Sequence, residues 1–310
     1  MWDDLRIGII GQGSQYIRIS KILKSKGLVY TLYKPSKKTN YYNKEKFEEL
    51  KKCNTVFILS PNHTHLKYIR LLRNNRYIFC EKPPVNSLVD MKKLKSINNG
   101  KLYFNYNFRF SKMSEILSKI DKYKLNDLLY ASVISGHGLG FKSEYSKSWR
   151  ANKKECKKGV FEIVSIHWID LINYHFDIKK IQSLKLMNYL KKAKGIDNSY
   201  CNVLLKNKSE IDIFTSYTSS LVKKIFFVFS NGTIEQNDNL IEIRGPAKNF
   251  NKKGFFKKAK LIEKYKINEE DDYLISLEKS VEFFLKYASE NKTFPSSDFK
   301  KSLTSNSYIL

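Results

Sequence analysis

The sequence has no apolar run of the length a bilayer-spanning helix needs, and its opening Met1-Trp2-Asp3-Asp4 has no basic leader before the first apolar segment. Both absences lead us to expect a cytoplasmic chain. Cysteine is sparse, and Cys53, Cys80, Cys156 and Cys201 form no Cys-x-x-Cys pair, which argues against a disulfide framework and a zinc ribbon. We therefore expect reduced thiols and no metal centre. Internal repeats and low-complexity linkers are also missing. Acidic residues are short, with 30 Asp and Glu against 57 Lys and Arg, a formal net charge of +27. A field of that sign concentrates phosphate-bearing partners of every kind, from nucleic acid to membrane surfaces to nucleotide-linked metabolites. Arginine, whose planar fork reads phosphate and guanine, is scarce beside a lysine excess spread over the whole chain. We accordingly expect a small anionic substrate and no nucleic-acid partner, and from the lack of a spanning segment no membrane partner.

What is present suffices for two cores: 310 residues, 42% of them hydrophobic. Leu5 to Ile10 reads as a buried parallel strand, and Gly11-Gln12-Gly13-Ser14-Gln15-Tyr16 opens a helix carried by Ile17, Ile19, Ile22 and Leu23. This is the strand, glycine turn and helix of a dinucleotide fold: Gly11 permits the tight turn, Gly13 admits a pyrophosphate, and the helix N-terminus offers free N–H groups. The third glycine is replaced by Tyr16. A second strand, Leu28 to Tyr33, lacks the acid that would hold an NAD ribose. Lys34-Pro35-Ser36-Lys37-Lys38 follows instead, so the expected cofactor is NADP or NAD, with NADP favoured and Lys34, Ser36 and Lys37 carrying the preference.

A helix from Glu45 to Lys52 and a strand Thr55 to Leu59 lead to Ser60-Pro61-Asn62-His63-Thr64-His65. Asn62 reads as an N-cap and His65, on position alone, as a surface residue of the following helix. The strand Tyr77 to Cys80 ends in Glu81-Lys82-Pro83-Pro84. Taken alone these are solvated loop charges, but at the carboxyl end of a buried strand, stiffened by proline, Lys82 is our first candidate for chemistry. A helix Leu88 to Ile97 and a strand Leu102 to Tyr106, closed by Asn107-Phe108-Arg109-Phe110, complete the alternation expected of a parallel sheet covered on both faces.

After a helix near Met113 to Ile120 the period changes to two, in Leu128 to Ser135, Ile181 to Met187, Tyr200 to Leu205, Ile211 to Tyr217 and Ile225 to Phe229, with a hairpin turn at Asn231-Gly232. Trp149-Arg150 and a helix from about Gly159 to Tyr174 lie between the first two strands. An amphipathic helix with Leu274, Leu277, Val281, Phe284 and Leu285, and a short helix after Pro295, close the chain. The expected fold class is α/β: an N-terminal Rossmann doubly wound parallel sheet over 1–122, then an α+β domain over 123–310 with an open, mainly antiparallel sheet. An open apolar sheet face calls for a partner subunit, hence a homodimer or homotetramer.

In their order and spacing, Gly8 to Gly13, Ser60-Pro61-Asn62 with His65, Glu81-Lys82-Pro83, Asn107-x-Arg109-Phe110, Trp149-Arg150 and Gly159 to Asp170 resemble the Gfo/Idh/MocA family of NAD(P)-dependent sugar oxidoreductases. The resemblance implies a dinucleotide held by Gly8, Gly11, Gly13, Ser14, Gln15, Lys34, Ser60, Asn62, His65, Glu81 and Lys82. It implies a substrate side made by Lys82, Asn107, Arg109, Trp149, Arg150, His167 and Asp170, and pairing of subunits through the C-terminal sheet. By position Lys82 would bond the reacting hydroxyl and His167 would exchange its proton. The implied activity is hydride transfer between nicotinamide and a hydroxyl or keto carbon of a sugar. Arg150 and the positive charge point to an anionic or nucleotide-linked sugar of surface-polysaccharide biosynthesis; for Arg150 an ordinary surface ion pair stands beside that reading.

The sequence departs from the family pattern where an aspartate would stand one turn before the histidine. Ile163 occupies that place, and Glu162, our third catalytic candidate, lies roughly 100 degrees away on an ideal helix, so it serves only if the helix is locally rotated. The alternative to an enzyme is a non-catalytic dinucleotide-binding sensor of the same fold.

Overall fold

The computed structural model describes residues 2, 4–35, 44–74, 76–97, 99–191, 193–247 and 250–310. Ser36, Lys37 and Lys38 therefore lie outside the described residues. The chain divides into two compact units, one of residues 1–110 with 274–308 and 310, the other of residues 111–273 with 309.

The first unit holds five parallel strands, β1 (Ile7–Ile10), β2 (Tyr30–Tyr33), β3 (Thr55–Ile58), β4 (Tyr77–Glu81) and β5 (Leu102–Asn105), in the order β2-β1-β3-β4-β5. Strands β1, β3, β4 and β5 are buried along their whole length, as their unbroken apolar runs require of a sheet covered on both faces. Helices α1 (Ser14–Ser25), α2 (Lys44–Lys51), α3 (His65–Leu72) and α4 (Leu88–Ile97) connect them. The strand order reverses between β1 and β3, and in such sheets ligands bind at the carboxyl ends beside that reversal.

The expected division at residue 122 is corrected at both ends. In place of a second domain running to the C-terminus, residues 274–308 group with the N-terminal sheet, because the apolar stripe of α7 (Glu269–Ser289) finds its aromatic partners there. Phe284 packs edge-on against Phe57 and Phe79 at centroid distances of 5.1 and 5.3 Å, and Leu277, Val281 and Leu285 are buried beside it. Each such side chain taken out of water contributes roughly 2 kcal/mol. Helix α8 (Ser296–Ser307) follows, and its Asn306 Nδ2 donates to Val85 O at 3.2 Å while Val85 N donates to Asn306 Oδ1.

In the second unit, after α5 (Lys112–Leu117), the strands are β6 (Leu128–Gly136), β7 (Ile178–Met187), β8 (Asn198–Leu205), β9 (Glu210–Ser216), β10 (Val222–Phe229), β11 (Gly232–Asn237), β12 (Leu240–Arg244) and β13 (Leu261–Lys266). They form one sheet in the order β13-β12-β11-β10-β6-β9-β8-β7, antiparallel except for the β6–β9 pair. Period-two alternation buries Ala131, Val133, Ile211, Ile213, Ile225 and Phe227 on one face and leaves Tyr130, Ile134, Asp212 and Phe226 on the other. The two strands absent from the sequence reading, β12 and β13, are short and end the sheet.

Where one continuous helix was expected from Gly159 to Tyr174, a π-turn over Phe161–Ser165 precedes α6 (Ile166–His175). The anchoring explains it. Gly159 adopts φ +53° so close to Ile196 that a Cβ would meet the Ile196 carbonyl oxygen, and Val160 N donates to that oxygen at 3.0 Å. At the other end the Ser165 hydroxyl is buried within 2.7 Å of Thr215 Oγ1 and 3.1 Å of Ser199 Oγ. Tied at one end to the loop before β8 and at the other to β8 and β9, the segment takes up its extra residue as a wider turn.

Candidate functional site

The candidate residues fall into two groups, one in each unit. In the first, the glycine turn after β1 lies at the strand-order reversal. Gly11 has φ +108°, and a Cβ there would stand 2.6 Å from Leu59 O, so only glycine lets the turn pass the end of β3. Gly13, which caps α1, is the opposite case: a Cβ would meet nothing within 4 Å. That open approach, next to the backbone N–H groups with which α1 opens at Ser14 and Gln15, fits the pyrophosphate of a dinucleotide. A Cβ at Gly8 would strike Leu50 Cδ1 at 2.5 Å and Cys53 Sγ at 3.2 Å, so its smallness serves the packing of α2 on β1. Tyr16, in the place of the third glycine, turns outward to Tyr30, hydroxyl to hydroxyl at 3.2 Å, and leaves Ile19, Ser20 and Leu23 to face the sheet.

At the end of β4, Glu81 is buried, and its Oε1 accepts from Asn105 Nδ2 at 2.7 Å and from Gln15 Nε2 at 3.2 Å. Burial holds its carboxyl above the ordinary carboxylate range, against the opposing pull of the Lys82 ammonium and of the two amide donors. Half-buried Lys82 follows, joined to Pro83 by a cis peptide bond. Asn105 and Gln15 were not distinguished by this role in the sequence; only the folded strand ends bring them to Glu81.

His65 corrects the expectation of a surface residue, for it is 1% exposed, with Nδ1 2.9 Å from Pro83 O and Nε2 3.0 Å from Ser60 O. Both neighbours are acceptors, so a neutral ring donates to one of them at a time. Burial outweighs the attraction of the carbonyls for a second proton and lowers the imidazole to about 4. His65 thus ties the end of β3 to the turn that carries Lys82. Buried Asn62 accepts from His63 N at 2.9 Å within a 3₁₀ turn, Asn62–Thr64, that leads into α3, and Ser60 Oγ lies 2.6 Å from Thr64 Oγ1. Asn107 donates through Nδ2 to Ser276 Oγ at 2.8 Å, and Arg109 to Ser302 Oγ at 3.1 Å with its guanidinium over the Tyr106 ring. Lys34 is exposed at the end of β2.

In the second unit, the π-turn leads into His167, half-buried in the first turn of α6, and Asp170, fully buried one turn later. In a π-turn each residue advances by less than the roughly 100 degrees of an α-helix, so the turn supplies the local rotation on which a role for Glu162 depends. The Glu162 carboxylate is nonetheless committed to the preceding loop. Its Oε1 accepts from Lys158 N at 2.6 Å, and Cys156 Sγ lies 3.7 Å from its Oε2. Burial raises the Glu162 carboxyl and, more strongly, the Cys156 thiol. Ile163 packs against a cluster of Tyr145, Ala151, Val160, Ala193 and Tyr217.

Trp149 and Arg150 form a stacked pair, with the guanidinium carbon 4.7 Å from the indole centroid. No ion pair of Arg150 is found among the described residues. Its field instead falls on groups that sequence reasoning missed, His137, Tyr145 and Tyr217. His137 lies 5.2 Å, centroid to centroid, from Tyr217, which in turn meets Tyr145 edge-on at 5.7 Å. Burial, with Arg150 adding to it, lowers the His137 imidazole, and burial pushes the Tyr145 phenol up to about 12. The four cysteines are free and buried. Among the described residues no cluster of His, Cys, Asp and Glu has the composition of a metal site, and no helix is long and apolar enough to cross a membrane.

Known proteins share this arrangement. Residues 5–102 match the family model GFO_IDH_MocA, described as an oxidoreductase family with an NAD-binding Rossmann fold. Over the whole length the fold is similar to a myo-inositol dehydrogenase from Corynebacterium glutamicum, at 16% identity and TM-score 0.71, covering 98% of this chain and 94% of that one. An inositol dehydrogenase homolog from Azotobacter vinelandii, complexed with NAD+, matches at 14% identity and TM-score 0.73, covering 98% and 93%. An oxidoreductase domain protein from Kribbella flavida matches at 13% identity and TM-score 0.78, covering 98% and 95%. The chain thus carries, over residues 5–102, the sequence pattern of an NAD-binding oxidoreductase family model, and over its whole length it has the fold of these proteins, a Rossmann sheet followed by a mostly antiparallel one.

Proposed function

We propose that this oxidoreductase moves a hydride between a bound nicotinamide dinucleotide and a hydroxyl or keto carbon of a sugar or polyol. The observation that carries the reading is Lys82, half-buried beside buried Glu81 at the carboxyl end of β4, in the sheet whose glycine turn fits a dinucleotide. The nicotinamide supplies or accepts the hydride. Lys82 binds the reacting oxygen and stabilises its negative charge, and the Glu81 carboxylate, with His65 tying the adjoining turn, holds the ammonium in place. His167 takes the hydroxyl proton during oxidation and returns it during reduction. Asp170, Asn107 and Arg109 belong to the substrate side of this proposal, and Glu162 acts by fixing the loop from which His167 is presented. The N-terminal unit carries the dinucleotide role together with Lys82, Asn107 and Arg109, and the C-terminal unit supplies His167 and Asp170, with subunits pairing through the open sheet face into a homodimer or homotetramer.

The inositol dehydrogenases of this fold favour a polyol-like substrate. The stacked Arg150 and the +27 charge favour an anionic one, a nucleotide-linked sugar or sugar acid of surface-polysaccharide biosynthesis. The basic segment after β2 favours NADP over NAD, with exposed Lys34 at its start. The deciding experiment is turnover on a panel of free and nucleotide-linked sugars with each dinucleotide. We expect activity that falls roughly a hundredfold or more in Lys82→Met and in His167→Ala while dinucleotide affinity stays within about threefold. Wild-type-like turnover in either variant sinks the assignment. A dinucleotide sensor is the second reading, favoured by Ile163 in the place of an acid; tight cofactor binding without turnover on any sugar would establish it.

A further inference from the structure

Between β12 and β13 the chain carries a projection that the oxidoreductase chemistry does not use. Phe250 and Phe256 pair as an antiparallel bridge with ring centroids 5.4 Å apart. The turn between them is built: Asn251 N donates to Phe255 O at 2.9 Å, Asn251 Oδ1 accepts from Lys253 N and Phe255 N, and Gly254 closes the turn at φ +78°. The base is anchored by Glu263 in β13, which accepts from Lys122 Nζ and Tyr123 OH, both at 2.9 Å. Yet the tip is exposed, with Phe250 at 56%, Phe255 at 67% and Phe256 at 89%. Around the rings stand exposed Lys252, Lys253, Lys257, Lys258 and Lys260, and no Asp or Glu occurs between Arg244 and Glu263. None of these lysines forms an ion pair among the described residues.

We propose that this Phe-Lys hairpin docks the protein on an anionic phospholipid surface. Three phenylalanines held in water gain by entering the headgroup–acyl boundary, where aromatic rings sit well, and flanking lysines reach phosphates from there. Charge decides against the same hairpin of a second copy as the occupant, because its lysines, with no carboxylate among them, would oppose the approach. Single-stranded nucleic acid is the weaker fit. Phe250 and Phe256 lie against each other instead of standing apart to receive successive bases, and no arginine stands among the lysines. The expectation of no membrane partner rested on the lack of a spanning segment, and a surface contact needs none.

Co-sedimentation of the full chain with phosphatidylcholine vesicles, with and without phosphatidylglycerol, tests this. We expect binding to the mixed vesicles only, reduced roughly tenfold or more in Phe255→Ser/Phe256→Ser, which keeps every charge. Lys257→Glu/Lys258→Glu should lose more than the charge-matched Lys179→Glu/Lys180→Glu on β7. Equal binding by the phenylalanine variant would reduce the effect to the charge of the whole chain and overturn the proposal. So would absence of vesicle binding, a change of oligomeric state in the phenylalanine variant, or phenylalanine-dependent binding of single-stranded RNA without phenylalanine-dependent vesicle binding.

Discussion

The glycine turn of the first unit and the π-turn of the second both deliver a helix start to candidate chemistry, yet they are held in different ways. At the first, the backbone alone decides: Gly11 passes within contact of Leu59 O, and no side chain is tolerated. At the second, side chains decide, through Ser165 on Ser199 and Thr215 and through Glu162 on Lys158 N. A site fixed by backbone geometry announces itself in sequence, since only glycine meets the requirement. One fixed by hydroxyls and a carboxylate does not, because those residue types occur everywhere.

The sharpest test of the contrast compares two alanines in the glycine turn. Gly11→Ala should cost roughly 2 kcal/mol of stability or more and abolish measurable dinucleotide binding, because positive φ and the 2.6 Å approach to Leu59 O penalise it together. Gly13→Ala should melt like the wild type and weaken dinucleotide binding about tenfold. Fluorescence titration with NADH and NADPH beside a thermal melt reads both quantities. Equal melting losses in the two variants would show that the turn is not governed by the backbone in the way argued here.

Comparable in stability, but without the loss of cofactor binding, is the pH dependence that His65 imposes on the first unit. Its imidazole is lowered to about 4 in the fold and titrates near 6.5 when unfolded, so between those values the unfolded chain binds the extra proton. Its contribution is therefore present in full above about 6.5 and is lost as pH falls towards about 4, a change of roughly 3 kcal/mol by linkage. Urea midpoints at neutral pH and at pH about 5 should diverge in the wild type and converge in His65→Gln. A His65→Gln protein with an unchanged acid slope would move the effect to another group.

These two cases also show what was legible in the sequence. The parallel sheet, its glycine turn, the Glu81-Lys82 strand end and the period-two sheet that follows could all be read, because apolar runs, glycine and alternation translate directly into backbone. His65 was misread: its position in a first turn says nothing of two carbonyls closing over it. The domain limit at 122 was misplaced for a related reason. The amphipathic stripe of α7 declares that it must be buried but not against which sheet, and the aromatic pairing of Phe284 with Phe57 and Phe79 exists only in the fold. Gly8 matched a motif while serving α2. The Tyr145, Tyr217 and His137 neighbourhood of Arg150 carried no local pattern at all, since strands and turns far apart in sequence assemble it.

Arg150 offers a smaller effect on the second unit. If its guanidinium, held over the Trp149 ring, binds the charge of an anionic substrate, Arg150→Ala should raise KM for that substrate about tenfold with KM for the dinucleotide unchanged. Added salt should reproduce the rise weakly. Preference for neutral sugars with indifference to the substitution would confine the pair to packing beneath His137 and Tyr217.

The smallest expected effect is at Glu162, and it bears most directly on how the two turns differ. The carboxylate accepts from Lys158 N, a bond that the amide oxygen of glutamine can also accept, and Cys156 Sγ lies 3.7 Å from its second oxygen. Glu162→Gln should therefore preserve the loop, leave the melting temperature nearly unchanged and lower turnover by about threefold, with the pH–rate profile still governed by His167. Glu162→Ala, which removes the acceptor and leaves Lys158 N without it, should cost stability and more turnover than the glutamine variant. A hundredfold loss already in Glu162→Gln, with a normal melt, would mean that the charge itself acts on His167 and that the π-turn has replaced the missing aspartate by rotating its neighbour into place. The second unit's turn would then be as dependent on one residue as the first unit's is on Gly11, and the distinction between a backbone-governed site and a side-chain-governed one would no longer separate them.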